Sequence, residues 1–357
     1  MSLKVGIVGL PNVGKSTLFT ALTKKKVDCS NYPFCTIEPN VGIVEVPDER
    51  LVKLAEVSKS EKIIPAVIEF VDIAGLVKGA SLGEGLGNKF LSNIRETDAI
   101  IEVVRCFENT DVHHVHGKID PKNDIEIINL ELIYADLATL DKRIQGLQRE
   151  LKSGEKRELK IALTAAEKIK VALDAGKLAN TVVLGEDEEK AIRDLHLLTM
   201  KQFLYVLNVD ENQLKSGFKL DSVSENEQLA VSVKIEAELS ELFDNEAREY
   251  LKDLGMSETG LNRLIKRSYE LLNLGTFLTS GEQETRAWTI KKGAKAPQAA
   301  GVIHTDFEKG FIRVEIINWK DFVDLGEAGS REKGLLRVEG KDYIMQDGDV
   351  CHFRFAN

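Results

Sequence analysis

Near the N-terminus, the run Gly9-Leu10-Pro11-Asn12-Val13-Gly14-Lys15-Ser16 has the residue types and spacing of a phosphate-binding loop. It follows an apolar stretch, residues 4–8, and precedes residues with helical spacing, so the predicted order is strand, glycine-rich loop, helix. In such a loop the backbone N–H groups point at phosphate oxygens, and the positive end of the helix adds to the attraction. Lys15 would reach the β- and γ-phosphates, and the Ser16 hydroxyl would ligate Mg²⁺.

Two further segments have the order expected for a magnesium-assisted switch. Asp72-Ile73-Ala74-Gly75 follows the strand candidate 66–71, so Asp72 is placed to hold Mg²⁺, directly or through water, and the Gly75 N–H to meet the γ-phosphate. Thr36 lies between this segment and the loop, where a threonine completes the metal shell only when a γ-phosphate is present. Together these elements predict a GTPase-type fold.

The residue after this segment is Leu76, where Ras-like enzymes place the glutamine that orients the attacking water. Leucine cannot align a water, so either another residue does so or hydrolysis is slow. Candidates are His113, His114 and His116, beyond the strand candidate 99–104, and His114 is taken as the catalytic one. A solvated loop histidine without a catalytic role is the alternative.

Base recognition is expected at Asn208-Val209-Asp210-Glu211, where GTPases carry the sequence NKxD. Val209 replaces the lysine that stacks on the base, and Glu211 replaces the aspartate that accepts two guanine N–H bonds. Losing such a paired contact costs one or more kcal/mol, so we predict a weak preference for guanine. The Asn208 amide has both a donor and an acceptor and could pair with adenine N6 and N7.

The composition sets the class of protein. The chain has 357 residues, 43% of them hydrophobic, which is enough for two or three domains with apolar cores. Its net charge of −10 argues against a protein that coats nucleic acid indiscriminately. The cysteines, Cys29, Cys35, Cys106 and Cys351, have no zinc or disulfide spacing, which favours free thiols in a reducing cytosol. We find no leader and no apolar run near eighteen residues, and therefore expect a cytoplasmic protein without a membrane span.

Alternating strand and helix patterns, with strand candidates at 41–46, 66–71 and 99–104, predict an α/β domain. A heptad pattern then predicts a coiled-coil helix, and a second helix after Ser153-Gly154 would fold back against it as an antiparallel hairpin. The core positions are Leu130, Ile133, Leu137, Leu140, Ile144, Leu147 and Leu151 in the first helix and Leu159, Ala162, Ala166, Ile169 and Leu173 in the second. Two ordinary helices packed on a globular core are the alternative.

Further helical patterns cover residues 186–198, 236–251 and 258–272, and strand candidates cover 203–207, 229–233, 286–290, 311–316, 335–338 and 350–355. We predict a P-loop nucleotide-binding domain made of residues 1–125 and 200–278, a helical insertion at 126–199, and a small separate domain at 279–357.

These segments resemble the YchF-type Obg-like ATPases, a branch of the Obg-related translation-factor GTPases. The resemblance rests on GLPNVGKST, NYPFCTIEPN, DIAGLVKGASLGEGLGNKFL and the NVDE variant of NKxD, and it covers essentially the whole chain. It implies a C-terminal β-grasp domain of the TGS type, ATP preferred over GTP, slow hydrolysis and association with ribosomes. The residues implied to contact nucleotide are Asn12, Val13, Gly14, Lys15, Ser16, Thr17, Asn208 and Val209, with Mg²⁺ on Ser16 and Thr36. Asn12 also matches the asparagine of potassium-stimulated relatives, so K⁺ activation is expected.

Lys142 to Lys170 contain nine basic and four acidic residues, which places a basic surface toward the hairpin tip. Such a surface suits a phosphate backbone, and the ribosome association implied by the resemblance makes ribosomal RNA the expected partner; a solvated helix face without a partner is the alternative. We expect a monomer that does not bind DNA. A conventional translational GTPase and a nucleotide-gated RNA- or ribosome-binding adaptor with little turnover are the alternative functions.

Overall fold

A computed structural model of the chain describes residues 3–24, 27, 38, 40–73, 86–108, 119–154 and 156–356. Its strands are β1 Lys4–Val8, β2 Val41–Glu45, β3 Lys62–Ile64, β4 Val67–Asp72, β5 Ala99–Arg105, β6 Gln202–Asn208, β7 Gln228–Val231, β8 Leu274–Ser280, β9 Glu284–Lys291, β10 Phe311–Asn318, β11 Arg337–Glu339 and β12 Asp349–Phe355.

The α-helices are α1 Lys15–Thr23, α2 Glu49–Ser58, α3 Leu86–Arg95, α4 Pro121–Ser153, α5 Arg157–Asp174, α6 Glu186–Ile192, α7 Glu211–Lys215, α8 Val233–Leu239, α9 Asp244–Asp253, α10 Gly260–Leu271, α11 Ala296–Ile303, α12 Thr305–Lys309 and α13 Trp319–Glu332, the last interrupted at Gly326. None of the helices in this described part is long and apolar enough to cross a membrane.

The nucleotide domain contains a six-stranded sheet in the order β2-β4-β1-β5-β6-β7, with β2 antiparallel and the other strands parallel. The central strands read as continuous apolar runs because helices cover both faces of a parallel sheet. β1 and β4 are neighbours whose carboxyl ends meet at Ile7 and Asp72. This register brings the end of β4 beside the loop that follows β1. The P-loop GTPase-type fold class is confirmed.

The helix α4 is continuous from the sheet to the hairpin tip. It begins at Pro121, ahead of the predicted start at 126, because its first turns pack Ile125, Ile128 and Leu132 against the main core. α5 follows after a three-residue connection and packs back along it, with Leu140 and Ile169 in a shared apolar cluster. The predicted antiparallel hairpin is therefore present. One predicted core position is wrong, because Leu130 is 42% exposed.

Two predicted helices are shorter than their patterns. The pattern over 186–198 forms a helix only to Ile192 and continues as short 3₁₀ turns, whose backbone N–H groups at Leu198 and Thr199 donate to the buried Asp136 carboxylate. The pattern over 236–251 is divided between α8 and α9. Local hydrophobic spacing does not record such tertiary caps.

The second sheet has the order β11-β10-β12-β8-β9-β3. β8 begins at Leu274, ahead of the predicted boundary at 279, and β3 comes from the N-terminal part of the chain. β3 pairs in parallel with β9, from Lys62 opposite Glu284 to Ile64 opposite Arg286. The two sheets therefore share the connected segment β2-α2-β3. Where the domain boundary falls remains a prediction.

Arg50 on α2 links the two parts of the chain. Its guanidinium donates to both oxygens of Asp48 at 2.7–3.1 Å and to Asp347 Oδ2 at 2.6 Å, and its side chain is 19% exposed. Because hydrogen bonds to charged groups contribute about 1.5–3 kcal/mol, we expect Arg50→Ala to lower the free energy of unfolding by about 2 kcal/mol in urea denaturation. The control is Arg331→Ala, whose partner Glu327 lies in an exposed i,i+4 pair. That change should cost well under about 1 kcal/mol. Equal losses would contradict the proposed link.

Candidate nucleotide-binding site

The loop after β1 has the backbone geometry of an anion cradle. Asn12 and Gly14 have positive φ angles of 64° and 97°, which curl the chain before α1 begins at Lys15. A Cβ at Gly9 would lie 2.8 Å from the Val103 carbonyl oxygen, so the loop approaches β5 too closely for any side chain there. Gly14 is the N-cap of α1 and offers no side chain to its free N–H groups, and no acidic residue lies in the first turn. The positive end of α1 is therefore left for an anion.

Lys15 and Asp72 meet at this cradle. The Lys15 ammonium donates to Asp72 Oδ1, and Lys15 is only 8% exposed. Ser16 and Thr17, in the first turn of α1, are exposed. The structure therefore brings Lys15 and Asp72, which are 57 positions apart in the chain, into contact where the loop meets the end of the neighbouring strand, and Ser16 follows Lys15 in the first turn of α1.

The donor set suits Mg²⁺ supplied together with a phosphate ligand. Within the described residues no group of three or more His, Cys, Asp or Glu side chains could hold a metal by itself. Mg²⁺ is usually bound by one or two carboxylates, hydroxyls, water and substrate phosphates, rather than by an all-protein cage. Asp72 and Ser16 provide such a partial set, and the assignment of the metal to them remains a prediction.

Asn208 joins the phosphate loop to the end of the sheet. Its side chain is 4% exposed; Nδ2 donates to the Val13 carbonyl at 2.8 Å, and Oδ1 accepts from the Val233 N–H at 3.1 Å. A Cβ on Gly14 would lie 2.5 Å from the same Nδ2. An amide nitrogen has two hydrogens. The bond to Val13 uses one of them, so within the described residues Asn208 retains a second donor for a base, while its oxygen accepts from the Val233 N–H.

Val209 has a different environment from the one its sequence position suggested. Its side chain is 2% exposed and belongs to the main core, and its N–H donates to the Val231 carbonyl at 3.1 Å. The Val209 side chain therefore cannot take the place of the lysine that stacks on a base, and a contact with nucleotide at this position would come from main-chain atoms.

Asp210 and Glu211 are both used by α7. Asp210 Oδ1 accepts from Gln213 N at 2.9 Å, and Gln213 Oε1 accepts from Asp210 N at 3.0 Å. Glu211 pairs with Lys215 at 2.7 Å on the exposed side of the helix. Both carboxylates are therefore bonded to residues of α7.

Three predicted site residues, Thr36, Gly75 and His114, lie outside the described residues, as does Leu76. Sequence reasoning missed the structural use of Asn208 and the contribution of the Val233 N–H. The signal for it is an asparagine at a strand end together with a loop glycine of positive φ, and only the asparagine is visible in the sequence.

Comparison with known proteins identifies both parts of the chain. A family model described as "50S ribosome-binding GTPase" matches residues 4–138. The YchF-GTPase_C model, described as "Protein of unknown function (DUF933)", matches residues 274–356.

Individual relatives match over the full length. The ribosome-binding ATPase YchF of Haemophilus influenzae is 56% identical, and the match covers 99% of each chain. The protein of that name from Bacillus subtilis is 52% identical, with 99% of this chain and 100% of the relative covered. A solved structure, the Schizosaccharomyces pombe YchF GTPase, has a TM-score of 0.88 and 40% identity, covering 99% of this chain and 98% of the other. With this identity over essentially its whole length, the chain belongs to the YchF family.

Proposed function

We propose that the chain is a Mg²⁺-dependent switch protein that binds ATP, hydrolyses it slowly to ADP and phosphate, and associates with the ribosome. The observation that carries this proposal is that Asp72 and Asn208 both bond to the phosphate loop, Asp72 through Lys15 and Asn208 through the Val13 carbonyl. A candidate metal ligand and a candidate base-binding amide therefore lie at the same loop. The names of the relatives, ribosome-binding ATPase, support the nucleotide and the partner.

The first step is phosphate binding. Asn12 to Thr17 would hold the phosphates through loop N–H groups, and Lys15 would leave Asp72 to neutralise the β- and γ-phosphates. Asp72 would then be available to hold Mg²⁺ together with Ser16 and the switch residue Thr36. The magnesium ion would offset the negative charge of the phosphates. On nucleotide binding, the Lys15–Asp72 contact would therefore be replaced by a contact of Lys15 with the phosphates and a contact of Asp72 with the metal ion.

Hydrolysis would be slow because Leu76 cannot orient a water. Gly75 is proposed to sense the γ-phosphate, and His114 remains the candidate for positioning the attacking water. Activation by K⁺ through Asn12 is part of the same proposal, since Asn12 lies in the loop between β1 and α1 that would surround the phosphates.

We propose a preference for adenine because the two carboxylates after Asn208 are bonded to other residues of α7. A guanine reader needs a short carboxylate that accepts two N–H bonds, whereas Glu211 is one methylene longer and pairs with Lys215. The free N–H of Asn208 can reach either purine at N7, so it does not itself distinguish them. The selection against guanine therefore lies at position 211.

The expected result of a titration with labelled nucleotides is tighter binding of ATP than of GTP in the presence of Mg²⁺. Glu211→Asp should shift the ratio toward GTP by several-fold, because the shorter carboxylate approaches the position of the guanine reader. Glu186→Asp is the matched control, since Glu186 starts another helix and forms the same i,i+4 pair, with Lys190 at 2.6 Å. GTP binding that is tenfold tighter than ATP binding in the unmodified protein would refute the proposal.

We propose that the hairpin contacts the ribosome. The protein would act as a monomer and would not bind DNA. Three of the hairpin's cations are engaged in ion pairs: Arg143 with Glu150, Lys168 with Glu188, and Lys170 with Asp141. Toward the tip, Lys152, Lys156 and Arg157 are exposed and have no ion pair within the described residues. These are the charges available for an external phosphate backbone.

A further inference from the structure

A groove of about 510 Å³ lies between α3 and α4, on the side of the nucleotide domain where the hairpin begins. We call it the basic groove; its lining residues are Leu91, Arg95, Ala135, Ala138, Thr139, Lys142 and Arg143. The α4 members follow one another at i, i+3, i+4, i+7 and i+8, so they form one stripe of the helix. The groove is thus bounded by one face of the hairpin helix and by the helix that follows the Asp72–Gly75 segment.

The stripe changes character along α4. Close to the sheet it carries the small residues Ala135, Ala138 and Thr139, and it ends in the cations Lys142 and Arg143. Leu91 and Ala135 are buried at 4% and 8% exposure, and they form the floor as part of the main core. Small side chains let a bound chain approach the helix backbone. The cations at the end of the stripe can then pair with negative charges on that chain.

The lining has three cations and no carboxylate among the described residues. Neither Arg95 nor Lys142 forms an ion pair within the described part of the chain, whereas Arg143 has the exposed Glu150 at 3.4 Å. Arg95 also acts electrostatically on the buried Asp136, but the oxygens of that carboxylate already accept from Leu198 and Thr199. On a chain of net charge −10, two of the three lining cations are therefore unpaired within the described residues, and the third has one exposed partner.

We propose that the basic groove binds the sugar–phosphate backbone of RNA and makes the affinity for RNA depend on the bound nucleotide. The proposal rests on the proposed function and names a surface for it that is separate from the hairpin tip. Arg95 and Arg143 can each grip a phosphate with two parallel N–H donors, and Lys142 adds a point charge. An acidic peptide would need carboxylates at matching intervals, whereas a phosphate backbone provides regularly spaced charge.

The link to the nucleotide follows from the connectivity of α3. The chain runs from Asp72, at the end of β4, to α3, which begins at Leu86 and ends at Arg95, so a ligand that displaces the Asp72 carboxylate from Lys15 would also shift α3. Such a movement changes the distance between Arg95 and the cations on α4, and hence the fit of a backbone across them. By linkage, RNA in the groove must change nucleotide affinity by the same factor.

The test compares two triple variants. The groove variant is Arg95→Gln, Lys142→Gln and Arg143→Gln, and the matched control is the tip variant Lys152→Gln, Lys156→Gln and Arg157→Gln, which removes the same charge. Binding of a short labelled single-stranded RNA and of purified ribosomes is measured with ADP and with a non-hydrolysable ATP analogue over a salt series. Thermal unfolding and basal ATP hydrolysis of each variant report on folding.

The groove variant should bind RNA at least tenfold more weakly. The plot of log affinity against log salt should be less steep, with a slope smaller in magnitude by about 2, at roughly 0.7 for each lost contact with single-stranded phosphate. It should also lose the difference between the ADP and ATP-analogue states, while the tip variant retains that difference. A groove variant with unchanged RNA affinity and unchanged nucleotide dependence overturns the inference, and ribosome binding by the unmodified protein would then leave the proposed function standing. If the unmodified protein binds neither RNA nor ribosomes, both fall.

Discussion

Gly14→Ala is expected to reduce ATP affinity at least ~100-fold, or about 2.7 kcal/mol, while leaving the protein folded. The new Cβ would lie 2.5 Å from Asn208 Nδ2, and the φ of 97° is strained for any L side chain. Relief requires moving Asn208, which breaks its bonds to Val13 and Val233. The loop then loses both its cradle geometry and its connection to the base side of the site. Isothermal titration with ATP and Mg²⁺ measures the loss.

Gly176→Ala is the matched control. Gly176 also has a positive φ, 72°, but a Cβ there meets nothing within 4 Å. It should therefore lose about 1 kcal/mol of stability from backbone strain, with ATP affinity unchanged. Similar ATP affinities for Gly14→Ala and the unmodified protein would show that Asn208 does not brace the loop.

The phosphate loop could be predicted because its chemistry depends on neighbouring residues. Glycines, the lysine and the serine act within one strand-loop-helix unit, so their spacing in the sequence is close to their arrangement in space. The proximity of Asp72 was predictable for a related reason, since parallel strands present their carboxyl ends at one edge of the sheet.

The remaining features depend on pairings between distant segments. The pairing of β3 with β9 joins residues more than two hundred positions apart, and a three-residue strand has no periodicity of its own to announce it. The burial of Val209 follows from its bond to Val231 in the same way. Leu130 was misassigned because a short heptad pattern does not tell which face of a long helix is covered.

Glu102→Gln is expected to stabilise the protein near neutral pH, by about 2–3 kcal/mol. Glu102 lies on β5 beneath the start of α4, is 1% exposed, and neither carboxyl oxygen has a hydrogen-bond partner in the described structure. Burial, and then the negative charge of Asp124 on α4, hold the pKa of Glu102 well above its ordinary value. Cys106 lies in the same environment, where burial and the negative charge of Asp124 raise its pKa to about 12.

The sign follows from proton binding. Above the ordinary glutamate pKa the unfolded chain has lost its proton while the folded chain retains it, so the unmodified protein loses stability as pH rises, by about 1.4 kcal/mol per unit, until the folded pKa is passed. Glutamine does not titrate and keeps the shape of the side chain. The gain from Glu102→Gln should therefore be small near pH 4 and should grow toward pH 7, as measured by urea denaturation across that range.

Glu315→Gln supplies the control of opposite sign. The hydrogen bond from Arg354, at 3.1 Å, lowers the pKa of Glu315, so its contribution to stability is present above the ordinary pKa and is lost as pH falls. That variant should be less stable than the unmodified protein at neutral pH and should approach it in acid. If Glu102→Gln instead destabilises the protein at pH 7, the interpretation of Glu102 as an uncharged carboxyl beneath α4 is wrong.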